Sequence, residues 1–170
     1  YTGLRGVGKT VLLNQMEELA KKESIECRHI EVENRNDFIS QIITCCQVFL
    51  RSISTGERMK QTISKAVDAL KSLAVSFSPE SSTFSLSMQE QELYKTTNLT
   101  QSLTDVFISV GEAARDANKP ICFFIDEMQY MKGNELSSLI AALHRANQLN
   151  LPIMIVGAGL PKLYKMLAEE

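Results

Sequence analysis

Residues 3–10 read Gly-Leu-Arg-Gly-Val-Gly-Lys-Thr, the spacing G-x-x-x-x-G-K-[ST]. These residue types suit one task, the holding of a polyphosphate. Gly3, Gly6 and Gly8 lack a Cβ, so the backbone can bend into a nest with its N–H groups turned inward. A helix starting near Lys9 adds the positive end of its dipole. Lys9 brings a full positive charge to the β- and γ-phosphates, and Thr10 offers a hydroxyl to Mg²⁺. The contact set expected from the loop is Gly3, Arg5, Gly6, Val7, Gly8, Lys9, Thr10 and Val11. Arg5 is the weakest member, because the variable positions of this motif often face solvent.

A second group stands far downstream. Residues 121–127 read Ile-Cys-Phe-Phe-Ile-Asp-Glu, five apolar residues closed by two carboxylates. On its own such a run marks only the end of a buried strand. After a phosphate-type loop it matches the Walker B pattern. Asp126 is then placed to hold Mg²⁺ with Thr10, and Glu127 to orient or activate the water that attacks the γ-phosphate.

These groups need a scaffold that brings two distant stretches together. Residues 9–23 have a helical period, with Leu12, Met16, Leu19 and Ala20 assigned to the inner face. Residues 27–33 alternate in part around Ile30 and Val32 and are expected to form a strand. Asp37 can cap a helix reaching Ile53, with a wide stripe of Phe38, Ile39, Ile42, Ile43, Cys46, Phe49, Leu50 and Ile53. Further helices are expected over 57–73, 100–117 and 135–150, the last with Leu136, Leu139, Ile140 and Leu143 inward. Residues 121–125 suit a central parallel strand, and 152–156 a second buried strand followed by a short helix. In residues 75–88, Val75, Phe77, Phe84, Leu86 and Met88 alternate with Ser around Pro79, which predicts a β-hairpin or an irregular excursion. Strands alternating with helices give an α/β fold, a parallel sheet between helical layers.

Bulk composition narrows the classes. The chain has 170 residues, 44% hydrophobic and 22% charged, enough for one domain with its own core. A net charge of −2 supplies no general basic field for nucleic acid. The four cysteines, Cys27, Cys45, Cys46 and Cys122, have no metal-type spacing with His29 or His144 and fit small apolar roles in a reducing, cytoplasmic setting. No apolar run reaches membrane-spanning length, so no membrane association is expected. With little before Gly3 and a helix starting near residue 163, residues 1–170 are expected to be a single core cut from a longer protein, with 75–99 as an insertion.

The order of phosphate loop, strand, helices, Ile-Asp-Glu-Met-Gln-Tyr-Met, helix and Leu-Pro-Ile-Met-Ile-Val-Gly-Ala-Gly-Leu-Pro-Lys-Leu resembles bacterial AAA-type P-loop ATPases. It is most similar to ATP-binding proteins related to the archaeal and eukaryotic origin-recognition initiator ATPases. The resemblance spans nearly the whole chain. It implies that ATP and Mg²⁺ are bound by the loop residues, Asp126 and Glu127; AAA modules often work as rings, so a homo-oligomer is compatible with it, and the oligomeric state stays open. AAA ATPases usually carry a polar first sensor at the end of the strand after Walker B. Here that place holds Gly157-Ala158-Gly159. The lid and arginine finger would lie beyond Glu170.

Three functions are compatible with these residues: an ATPase driving conformational change, a nucleotide-binding switch with little turnover, or a DNA-associated helper ATPase of the replication or transposition type, contacting DNA through further domains. Among secondary candidates, Asn34 could contact Glu127 but suits a turn before a helix cap. Gln129 and Tyr130 could read nucleotide state. Met128 and Met131 suit packing, and His144 with Arg145 suits a solvated helix face.

Overall fold

The fold comes from a computed structural model that describes residues 1–3, 8–33, 38–53, 59–77 and 98–163. In chain order the elements are α1 (Lys9–Lys22), β1 (Glu26–Glu31), α2 (Phe38–Ile53), α3 (Lys60–Phe77), α4 (Leu99–Asp116), β2 (Ile121–Asp126), a 3₁₀ turn (Met128–Tyr130), α5 (Gly133–Gln148) and β3 (Ile153–Gly157). The three strands form a parallel sheet in the order β1-β2-β3. Residues 1–3 run beside the far edge of β3, through a parallel bridge between Thr2 and Gly159. Gly3 N–H donates to Gly159 O at 3.1 Å, and Gly159 N–H to Tyr1 O at 3.0 Å. The entry to the phosphate-type loop therefore lies against the C-terminal end of β3.

The pleat divides the sheet's side chains between two cores. Ile121, Phe123 and Ile125 of β2 join Ile30, Ile153 and the stripes of α2, α3, α4 and α5 in the larger core. Phe107 of α4 stacks on Phe123, with ring centroids 5.9 Å apart. Cys122 and Phe124 point the other way and meet Cys27, Ala158 and Leu13 of α1. All six residues of β2 are buried, as expected of a central strand covered on both faces. The eight apolar positions expected to line α2 are all buried. Asn98 caps α4, its Oδ1 accepting from Gln101 N–H at 2.8 Å.

Two helix faces differ from the sequence expectation. On α1, Leu13 is buried, whereas Met16 is 39% and Leu19 61% exposed. The face that meets the sheet is Leu13, Glu17 and Ala20 rather than Leu12, Met16 and Leu19. Glu17 breaks the apolar period, yet it is satisfied there, accepting from Lys21 Nζ at 2.7 Å and contacting His29 Nδ1 of β1 at 3.2 Å. Burial raises the Glu17 pKa, and the hydrogen bonds and charges of Lys21 and His29 together outweigh it, so the carboxyl sits below its ordinary value. On α5, Ile140 faces out and Ser138 faces in. The buried Ser138 hydroxyl pairs with Thr100 Oγ1 at 2.8 Å.

A third difference concerns residues 75–77. Val75 and Phe77 belong to the last turn of α3, not to a hairpin strand. The helix continues because Leu70, Leu73 and Ala74 keep a helical stripe in the core. The remainder of the expected hairpin, with Phe84, Leu86 and Met88, lies outside the described residues.

Candidate functional site

The alternation that sorts β2 also aims Asp126. It has the same parity as Cys122 and Phe124, so it points to the face covered by α1. There Thr10, in the first turn of α1, donates its hydroxyl to Asp126 Oδ2 at 2.6 Å, across 116 residues of sequence. The other carboxylate oxygen, Oδ1, accepts from Glu127 N–H at 2.8 Å. Asp126 is 3% exposed, so both bonds hold its carboxylate in one orientation.

Helix α1 opens without a side-chain cap and without an acidic residue in its first turn. Its leading N–H groups have no intrahelical partners by geometry and carry partial positive charge. Gly8 precedes it at φ 79°, ψ 24°, a left-handed conformation that a Cβ would make costly. Lys9 is buried at the first helical position. Val11 is 60% exposed at the same helix end. Gly3 is tied by its backbone N–H to Gly159, just past the end of β3. Arg5, Gly6, Val7 and Asn34 lie outside the described residues.

Beyond Asp126 the chain turns sharply. Glu127 takes φ 57°, ψ 34°, left-handed for a residue with a side chain, at a cost of about 1–2 kcal/mol. The turn directs Met128 and Gln129 back over the end of β3. Met128 N–H donates to Ala158 O at 3.0 Å. A Cβ on Gly157 would lie 2.1 Å from Met128 Sδ, and one on Gly159 would lie 2.9 Å from Gln129 Oε1. Both glycines are thus the space that Met128 and Gln129 fill. Met128 and Met131 are buried, in keeping with a packing role. Gln129 Nε2 donates to Glu127 Oε2, and Gln129 Oε1 accepts from Leu160 N–H at 2.8 Å.

From sequence, Gln129 stood with Tyr130 as a residue that could read nucleotide state, and its bonds to Glu127 and Leu160 were not foreseen. The signal that could have singled it out is Gly159, a position without a side chain opposite a polar residue. His144 and Arg145 are exposed on α5, away from this cluster, and Tyr130 packs against the large core. Glu135 is buried and accepts from Lys132 N–H at 3.0 Å, closing the start of α5.

The donors at the mouth of the site are hard oxygens, the Thr10 hydroxyl and the Asp126 carboxylate, which suit Mg²⁺. Among the described residues no group of three or more His, Cys, Asp and Glu gathers as a metal cage. One or two protein oxygens with the rest from phosphate and water is the arrangement Mg²⁺ favours, so the residues fit that ion. No helix of the described residues is long and apolar enough to cross a membrane.

No curated protein matches the chain. The AAA ATPase domain family matches residues 2–156, nearly the whole length, and covers both Thr10 and Asp126. The parallel sheet flanked by helices fits the core of a P-loop NTPase of this type. The chain belongs to the AAA ATPase domain family.

Proposed function

We propose that the chain binds ATP and hydrolyses it to ADP and phosphate with Mg²⁺, driving conformational change in a larger, oligomeric protein. The observation that carries this is the 2.6 Å bond from Thr10 to Asp126, which joins the end of the phosphate-type loop to the acidic end of β2. The residues of the loop, from Gly3 through Arg5, Gly6, Val7, Gly8, Lys9 and Thr10 to Val11, wrap the phosphates. Lys9 neutralises the β- and γ-phosphates, beside the uncapped N-terminus of α1. Thr10 and Asp126 hold Mg²⁺, which when bound neutralises charge on the phosphate oxygens. Glu127 orients a water in line with the γ-phosphate. As the water oxygen bonds to phosphorus, the bond from phosphorus to the bridging oxygen breaks, and the water's proton passes by way of Glu127 to the released phosphate.

Phosphate release by the full-length protein is the test. Glu127→Gln should abolish it and leave ATP binding intact. Persistent turnover in that variant would remove Glu127 from the role. A second reading, a nucleotide switch with little turnover, is favoured by the absence of a side chain at Gly157 and Gly159, where a first sensor would stand. Tight ATP binding without phosphate release would select it. ATP-dependent retention on DNA that falls steeply with salt would instead select the DNA-associated helper.

A further inference from the structure

Gln129 is 6% exposed, and both ends of its amide are used. The orientation of that amide follows from its partners. The Leu160 N–H can only donate, so the amide oxygen must face it. The amide nitrogen must then face Glu127, whose carboxylate accepts. The bond to Glu127 uses Oε2, and among the described residues Oε1 of Glu127 has no hydrogen-bond partner. The carboxylate is therefore held by one oxygen and open at the other. Without Gln129, nothing else among the described residues bonds the Glu127 carboxylate, which stands on a left-handed backbone.

The opposing segment is shaped to admit this amide. Gly159 leaves the room that Gln129 Oε1 occupies, and Gly157 leaves room for the neighbouring Met128. Leu160, the other anchor, follows the residues that bond the entry to the phosphate-type loop. One side chain thus joins Glu127 to the end of β3, where the strand itself offers no polar side chain.

We propose that Gln129 is a positioning residue for the hydrolytic step. Its amide holds the Glu127 carboxylate in the orientation that presents the second oxygen to the attacking water, and the Leu160 N–H holds the amide. This rests on the hydrolytic role proposed above for Glu127.

Two variants separate the halves of the amide. Gln129→Glu keeps an oxygen for the Leu160 N–H and removes the donor to Glu127. Gln129→Met keeps the length and removes both bonds. Phosphate release and binding of a fluorescent ATP analogue are measured on the full-length protein. Both variants should lower kcat by about tenfold or more, with KM and analogue affinity unchanged. In a Glu127→Gln background, adding Gln129→Met should leave the residual rate unchanged, because the group being positioned is gone. Parental kcat in Gln129→Glu, with Glu127→Gln inactive, would overturn the positioning role alone and leave the amide as a brace for Leu160. A loss of kcat matched by a rise in KM would overturn it as well, since that marks general damage to the site. A parent without turnover, or an active Glu127→Gln, would overturn the hydrolytic role and this inference with it.

Discussion

Thr10 Oγ1 donates to Asp126 Oδ2 at 2.6 Å, and this bond ties the first turn of α1 to the last residue of β2. The bond follows from two periodicities. The pleat of β2 turns Asp126 toward α1, and the start of α1 at Lys9 leaves Thr10 in its first turn, facing that strand end.

Thr10→Val should therefore act on stability as well as on any metal-dependent step. It leaves Oδ2 of an almost fully buried carboxylate without its partner, at a cost of about 1–2 kcal/mol. Thr10→Ser keeps the hydroxyl and should recover most of that. Urea denaturation midpoints of the two variants check it, and equal midpoints for Val and Ser would contradict it.

Gly157 is predicted to be intolerant of any side chain for a packing reason. Its Cβ would meet Met128 Sδ, and Met128 is buried. Gly157→Ser, which would install a polar group at the end of β3, should destabilise by about 1–3 kcal/mol. Shortening the obstruction with Met128→Ala should make the serine cheaper in the double variant than in the parent background. Thermal unfolding of the four proteins gives the coupling directly, and simple additivity would contradict the proposed contact.

The cysteines should behave as packing residues. All four are free thiols, and burial pushes each of their pKa values up, Cys122 to about 12. A raised thiol pKa leaves little thiolate at pH 8, and Cys46 is fully buried besides. Iodoacetamide at pH 8 should label the native protein slowly and the urea-unfolded protein quickly. Comparable rates would contradict the packing.

Much of the scaffold was legible because apolar periodicity and burial coincide in it. The unbroken run 121–125 became the central strand, and the α2 stripe was read residue for residue. Thr10 and Asp126 were paired from their two motifs alone, and the structure places them in hydrogen-bond contact. Legibility failed where a polar side chain faces inward with a partner from elsewhere in the chain. Glu17 on α1 and Ser138 on α5 both rotate the buried face away from the most hydrophobic one, and their partners, His29 and Thr100, are distant in sequence. Gln129 is the same case at the candidate site. Its value depends on Leu160 and on Gly159, just past the end of another strand, which no local pattern around residue 129 announces.

The start of α1 is proposed to hold a nucleotide's phosphates. Titration calorimetry of Mg-ATP into the full-length parent and into Lys9→Ala measures it. The loss of the buried cation should weaken binding by about tenfold or more, since a charge-assisted contact contributes about 1.5–3 kcal/mol. Equal affinity in the parent and in a folded Lys9→Ala protein would contradict it.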